Sequence, residues 1–225
     1  IITPEQFSFT QERKLMNSIK QKSVINAEVI TISRMADRLY EQLGKSKLTL
    51  SKRGKAMLVY VVLNKLKKDF KFLGKTDENI DLGVQILTEF KKHGISIKKL
   101  QKAINETSDK YLQTKLKDTE LLYTEFEKLL QSNYIEEIDK IDILSQNIDK
   151  LEWLKNSLIY IDEFSGFTYQ EYMVIKELVK VAKQVTMTIC SDELKITNSK
   201  DADIFYSNKL TASNIKELLE RENIK

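Results

Sequence analysis

A chain with a single cysteine has no internal disulfide and no multi-cysteine metal site within its own residues. Cys190 closes an apolar run and reads as a buried, inert thiol. The lone histidine, His93, stands beside Gly94 and reads as part of a helix's last turn. One proline and six glycines, against 31% charged residues, favour a mostly helical protein with short turns. No apolar run approaches the ~20 residues of a membrane span, and no signal-peptide pattern opens the chain, so a cytoplasmic protein away from membranes is expected. No G-x-x-x-x-G-K-[ST] occurs in the 225 residues, so no segment has the sequence of a phosphate-cradling loop. The chain opens Ile-Ile-Thr-Pro rather than on Met, as expected of a piece cut from something longer.

The net charge of +4 hides an asymmetry. Gly44–Lys110 carries sixteen Lys/Arg against seven Asp/Glu, a local +9, and Tyr111–Leu154 carries five against ten, a local −5. A basic excess of that kind suits a polyanion such as DNA. It is equally what a lysine-rich solvent face looks like.

The stretch around which the rest is organised is Leu158-Ile-Tyr-Ile-Asp-Glu-Phe-Ser-Gly-Phe-Thr-Tyr-Gln-Glu-Tyr172. Leu158–Ile161 is too short for a helix and reads as a strand buried on both faces. Thr168, with Glu171 three residues on, predicts a capping box, and Tyr172, Ile175, Leu178, Val179 and Ala182 give the helix one apolar face. A second apolar run, Val185–Ile189, follows. A strand–helix–strand unit of that length predicts parallel strands, and ligands of such sheets bind at the strands' carboxyl ends. Asp162 and Glu163 stand at that end. The pair is either ordinary turn and cap chemistry or a Walker B arrangement, in which the first carboxylate holds Mg²⁺ through water and the second orients the attacking water.

The N-terminal residues repeat the pattern: Ile1–Thr3 as the end of a strand, a helix from Phe9 to Gln21 with Leu15 and Ile19 inward, a strand at Asn26–Ser33, and a helix from Arg34 to Leu43 stopped by Gly44. Residues 45–154 differ in character. They predict helices from Ser51 to about Lys68 through Met57, Val61 and Leu66, from Thr76-Asp77 to His93, from Ser96 to Asn105, from Asp109 to Gln131 with Leu112, Leu116, Tyr123, Phe126 and Leu130 inward, and from Asp139 to about Leu154. The expected organisation is an α/β domain of residues 1–44 and 155–225 carrying an all-helical insertion of residues 45–154.

Three blocks, Pro4-Glu-Gln-Phe-Ser-Phe9 with Glu12, Ser33-Arg34-Met-Ala36, and Tyr160-Ile-Asp-Glu-Phe-Ser-Gly-Phe-Thr168 with Gln170-Glu171, resemble the N-terminal region of the AddB family in order and spacing. These are B subunits of bacterial ATP-dependent helicase/deoxyribonucleases. The resemblance implies a P-loop nucleotidase fold of the superfamily-one helicase kind. Ile1–Phe9 then falls on motif Ia, Val29–Arg34 on the Thr-Phe-His motif, 45–154 on the 1B subdomain, Asp162-Glu163 on motif II, and Cys190-Ser-Asp192 on the start of motif III. It also implies a complex with an AddA-like motor and nuclease subunit, DNA-end processing for recombinational repair, recognition of the Chi hotspot, and ATP with Mg²⁺ in the parent protein, held in part by Asp162.

Departures from the pattern limit the chemistry. Ser191-Asp192 is followed by Glu-Leu-Lys, without the glutamine that senses the γ-phosphate in active motors, and Tyr169 replaces the family's proline. The phosphate-binding loop is expected upstream of Ile1, and the family's nuclease domain and iron–sulfur cysteines far downstream. These residues alone are therefore expected to catalyse nothing and to hold no cofactor. Their expected role is DNA reading, with Gln6, Ser8 and Arg34 as polar contacts and Phe164 and Phe167 as stacking rings. Core packing for Phe9 and Phe167, and an ion pair for Arg34, are the structural alternatives. The competing functions are an active ATP-driven helicase motor and a helical protein-interaction scaffold.

Overall fold

The computed structural model describes residues 1–19, 24–73, 78–196 and 202–223. In chain order the elements are α1 (Ser8–Ser18), α2 (Ile32–Gln42), β1 (Leu48–Thr49), α3 (Lys52–Lys65), α4 (Glu78–Lys92), α5 (Ile97–Glu106), α6 (Lys110–Asn133), β2 (Tyr134–Ile135), α7 (Glu137–Asn147), β3 (Leu158–Ile161), α8 (Tyr169–Val181), β4 (Gln184–Met187) and α9 (Tyr206–Arg221). The fold is α/β and mostly helical, with small parallel sheets. The chain divides into two compact units, one of Ile1–Lys45 with Lys140–Lys225 and one of Ser46–Asp139. The expected cap at Thr76-Asp77 lies outside the described residues.

In the first unit β3 and β4 run parallel, in register from Leu158 with Gln184 to Ile161 with Met187. Ile2 bridges in parallel to Ile30 on one side and Ile161 on the other. The Ile2 amide donates to the Tyr160 carbonyl at 2.7 Å, and the Thr3 amide to the Ile30 carbonyl at 3.2 Å. The lateral order is thus Ile30, Ile2, β3, β4, and α8 makes the crossover that parallel pairing requires. A capping box starts α8: the Thr168 hydroxyl accepts from the Glu171 amide, and the Glu171 carboxylate accepts from the Thr168 amide at 2.7 Å. The core joins Ile2, Ile30 and Ile161 to Met35 and Leu39 of α2, Leu144 of α7, and Val174 and Leu178 of α8.

Three expectations fail here for local reasons. Ile32 and Ser33 are helical, because the Thr31 hydroxyl caps α2 by accepting from the Arg34 amide at 3.2 Å. β3 is buried on one face only: Ile159 and Ile161 are inside, while Leu158 and Tyr160 are about half exposed. Cys190 is exposed, because the β4 ladder ends at Met187 and the chain leaves the sheet before the thiol. Residues 141–154, grouped with the helical block by their periodicity, place Ile141, Leu144, Ile148, Leu151 and Leu154 in this first core.

The second unit is helical apart from the short parallel pair of β1 with β2. Val59, Val62 and Leu63 of α3, Leu87 of α4, and Leu122, Phe126 and Leu130 of α6 form its core. Gly83 lets α4 approach: a Cβ there would stand 2.9 Å from Val59 Cγ1 and 3.2 Å from Leu122 Cδ2. The inward face of α3 is rotated from the one expected, leaving Met57 and Val61 exposed, and Leu112 of α6 is exposed as well. Inside this unit sits a buried ion cluster. The Lys91 ammonium lies 2.8 Å from Glu127, 2.7 Å from Glu136 and 2.9 Å from Asp139, and Lys55 reaches Glu136 at 2.8 Å. Burial holds the Glu127 carboxyl above its ordinary range. Glu136 falls below it because the attraction of Lys91 and Lys55 outweighs an opposing burial effect.

Candidate functional site at the strand ends

Asp162 follows β3 directly and is held by three donors. Its Oδ2 accepts from Gln11 Nε2 at 3.1 Å, and its Oδ1 from the Glu163 amide at 3.0 Å and from the Thr188 hydroxyl just past β4. Gln11 is buried in α1, and the same amide nitrogen donates to Glu163 Oε1 at 3.1 Å, so one side chain bridges both carboxylates. Lys14, one turn on, adds an exposed ion pair to Glu163 at 3.4 Å. Glu163 has φ +66°, in the left-handed region that a side-chain-bearing residue occupies at a cost of about 1–2 kcal/mol. Strain of this kind gathers at sites where the surrounding contacts over-determine the backbone.

Asp162, Glu163 and Thr188 line an open cleft of about 490 Å³ that also takes in Gln6, Phe7, Phe164, Cys190 and Asn208. Gln6 is exposed, in a single 3₁₀ turn ahead of α1. The Phe164 ring stacks on Phe167 at 4.6 Å, and Phe167 meets Tyr172 edge-on at 5.5 Å while packing against the core. Phe167 therefore backs Phe164. Phe9 is 73% exposed and packs into no core.

Two expected contacts do not reach this cleft. Ser8 is buried and its hydroxyl donates to the Glu5 carbonyl at 3.0 Å, closing the turn that starts α1. Arg34 lies against Glu5 at 3.4 Å and Glu12 at 3.7 Å. It lines a separate concavity with Leu15, Met16 and Arg38.

Gln11 and α9 were not legible as site components. The α9 side chains tie down both rim loops: Asn208 donates to the Cys190 carbonyl at 2.6 Å, and Thr211 to the Ser165 carbonyl at 3.0 Å. Lys209, its side chain 1% exposed, lies 2.9 Å from Asp192 and 2.8 Å from Asp203. The hydrogen bond to Lys209 holds the Asp192 carboxyl below its ordinary range, and the same contacts raise Lys209. The nearest sequence signal is the Asn-Lys-x-Thr spacing at 208–211, which puts three polar groups in one turn of a helix.

As a Mg²⁺–nucleotide site the residues present do not fit. Mg²⁺ wants several oxygen ligands and the substrate's phosphates. Asp162 already accepts from three protein donors, and no group of three His, Cys, Asp or Glu among the described residues could hold a metal.

Polar side chains thus gather outside the carboxyl ends of parallel strands, the place where open α/β sheets as a class bind their ligands. The chain belongs to the family described as "ADDB, N-terminal", which matches residues 1–225. It is similar to the B subunits of the ATP-dependent helicase/deoxyribonucleases of Clostridium kluyveri, 36% identical over 230 residues, of Clostridium acetobutylicum, 34% over 228, and of Clostridium tetani, 34% over 233. Each match covers all of this chain and 20% of the relative, so the chain spans about a fifth of the length of these proteins. Among the described residues no helix is long and apolar enough to cross a membrane.

Proposed function

We propose that this chain is the helicase-like, DNA-reading part of the B component of a helicase/deoxyribonuclease, and that bases of single-stranded DNA enter the cleft at the strand ends. The observation that carries the reading is the cleft's composition. Two carboxylates bridged by Gln11 face Gln6, Asn208 and the Phe164 ring. Carboxylates repel phosphates but accept hydrogen bonds from the amino groups of bases. Glutamine and asparagine pair with base edges, and an aromatic ring offers a stacking face. The cleft thus suits bases, with phosphates left to cations outside it, such as Lys14. Arg34 joins the contact only by releasing Glu5 and Glu12.

The relatives' names make each of them one component of a helicase/deoxyribonuclease, so assembly with an AddA-like motor subunit and a role in DNA-end processing, including hotspot recognition, belong to the same proposal. So does the absence of ATP turnover by these residues: Asp162 is an acceptor hub here, and the sequence holds no phosphate-binding loop.

The test is binding of labelled oligothymidylate, oligodeoxycytidylate and oligodeoxyadenylate to the chain at about 50 mM salt, where phosphate contacts are least screened. Gln6→Ala should change the preference among the three by the ~1–3 kcal/mol of a base-edge contact, whereas Phe164→Ala should weaken all three alike, because every base has a stacking face. Equal weakening of all three by Gln6→Ala refutes base reading. DNA-stimulated phosphate release that Asp162→Asn abolishes refutes the denial of ATP turnover.

A further inference from the structure

We propose a second DNA contact, on the helical unit: Phe72, Tyr111 and Lys115 form a stacking platform for one unpaired base of single-stranded DNA. The inference rests on the DNA-reading proposal above for the identity of the ligand, but on different residues.

Phe72 and Tyr111 stand edge to face, ring centres 6.3 Å apart with planes at 89°. Large aromatic rings on a surface ordinarily bury their faces, yet Tyr111 is 63% exposed and Phe72 40%. The Lys115 ammonium lies over both rings, 4.7 Å from the Phe72 centre and 4.4 Å from that of Tyr111. This holds a cation against one face of each ring.

The platform is built rather than incidental. Asp118 is 4% exposed, and its carboxylate accepts from three consecutive amides: Lys71 at 3.2 Å, Phe72 at 2.6 Å and Leu73 at 2.9 Å. Phe70 and Leu73 point into the core on either side. The loop is pinned by its backbone and by two buried neighbours, and Phe72 is the ring it turns outward.

Charge names the occupant. The two segments that meet here, 67–73 and 109–118, carry Lys67, Lys68, Lys71, Lys110, Lys115 and Lys117, and none of the six makes an ion pair among the described residues. Elsewhere in this unit Lys55, Lys65, Lys91 and Lys128 each reach a glutamate, while Lys52 and Lys98, unmatched among the described residues, lie far apart in sequence rather than in a cluster. Of the three carboxylates in the two segments, Asp118 holds the loop, and Asp109 caps α6 by accepting from Tyr111 and Leu112. Unmatched cations around two exposed rings are complementary to a base flanked by phosphates. A protein partner of this patch would need an acidic and apolar surface instead.

The experiment uses the whole chain, fluorescein-labelled oligothymidylate and a 5-iodouracil version for photo-crosslinking. Phe72→Ala with Tyr111→Ala should weaken binding about 5- to 150-fold, the range of one stacked base. The same factor should hold for oligodeoxyadenylate, because every base has a stacking face. The slope of log affinity against log salt should not move, since no phosphate contact is lost. Lys115→Met with Lys71→Met should instead lower that slope, and crosslinks should map to Tyr111 or Phe72. Both rings are exposed, so an unchanged thermal midpoint establishes that the variant is folded. Binding within twofold of the parent, with crosslinks only at Phe164, overturns this platform and leaves the cleft reading intact. No binding by the parent chain overturns both.

Discussion

Replacing Lys91 by Met is the sharpest test of how the helical unit is held together. The side chain is 6% exposed and its ammonium contacts Glu127, Glu136 and Asp139, all within 3 Å. Each contact is worth on the order of 6 kcal/mol gross at an effective dielectric of 20, but desolvation and repulsion among the three carboxylates remove most of that. Breaking such a cluster leaves uncompensated charge and costs about 3–5 kcal/mol net. With a urea slope of ~2 kcal/mol/M, the midpoint of the far-ultraviolet transition should fall by about 2 M. The acid dependence gives a second readout. Glu136 is held below its ordinary value, so in the parent it contributes stability that is present above the unfolded value near 4.5 and is lost as pH falls through the lower, folded one. Without Lys91 the clustered carboxylates should titrate above their ordinary range. Protonation then relieves the variant, and its deficit should shrink between about pH 7 and pH 5. A deficit under ~1 kcal/mol, or one that widens with acid, refutes the reasoning.

Gly83→Ala should destabilise the same unit by ~1–2 kcal/mol in urea melts, because overpacking against the stiff Val59 outweighs the ~1 kcal/mol that alanine gains in a helix. Lys209→Met should raise the Asp192 pKa measured by carboxyl NMR and speed amide exchange at 190–193; an unmoved Asp192 would dismiss the contact. Glu163→Gly should be more stable than Glu163→Ala by about 1 kcal/mol, since both lose the contacts to Gln11 and Lys14 and only glycine removes the penalty of a positive φ. Equal stability of that pair would mean that Glu163 is not strained.

What the sequence made legible was local. Thr168 and Glu171 lie three residues apart, and the capping box they announce is present. β3, α8 and β4 are consecutive, so their parallel pairing follows from the length of the crossover. The errors came where two local rules competed. The β-branched neighbours of Thr31 suggest a strand, but its hydroxyl makes a cap, and the spacing of Ile32, Met35, Ala36, Leu39 and Tyr40 fits a helix. α3 is apolar on most sides, so its pattern does not say which side faces Leu122 and Phe126. The core selects Val59, Val62 and Leu63 and leaves Met57 and Val61 outside.

The candidate site was half legible for a different reason. Asp162 and Glu163 announce themselves as neighbours at a strand end, and Gln6 and Phe164 follow from the motifs around them. Gln11 is 151 residues from Asp162 in sequence, and no pattern within a window of a helix or a hairpin relates the two. Its placement is a consequence of tertiary order. Ile2 bridges Ile161, the turn closed by Ser8 starts α1 just beyond it, and one helical turn from Ser8 brings Gln11 over the end of β3. Ser8, whose hydroxyl closes the turn, aims the helix that carries the side chain touching both carboxylates. A conservative Gln11→Glu, isosteric but acidic, sets a third carboxylate against Asp162 and Glu163. It should therefore disturb the cleft more than Ser8→Ala, which leaves all three groups in place and removes one turn hydrogen bond worth about 1 kcal/mol. Oligonucleotide binding that responds to Ser8→Ala and ignores Gln11→Glu would reverse that assignment of roles.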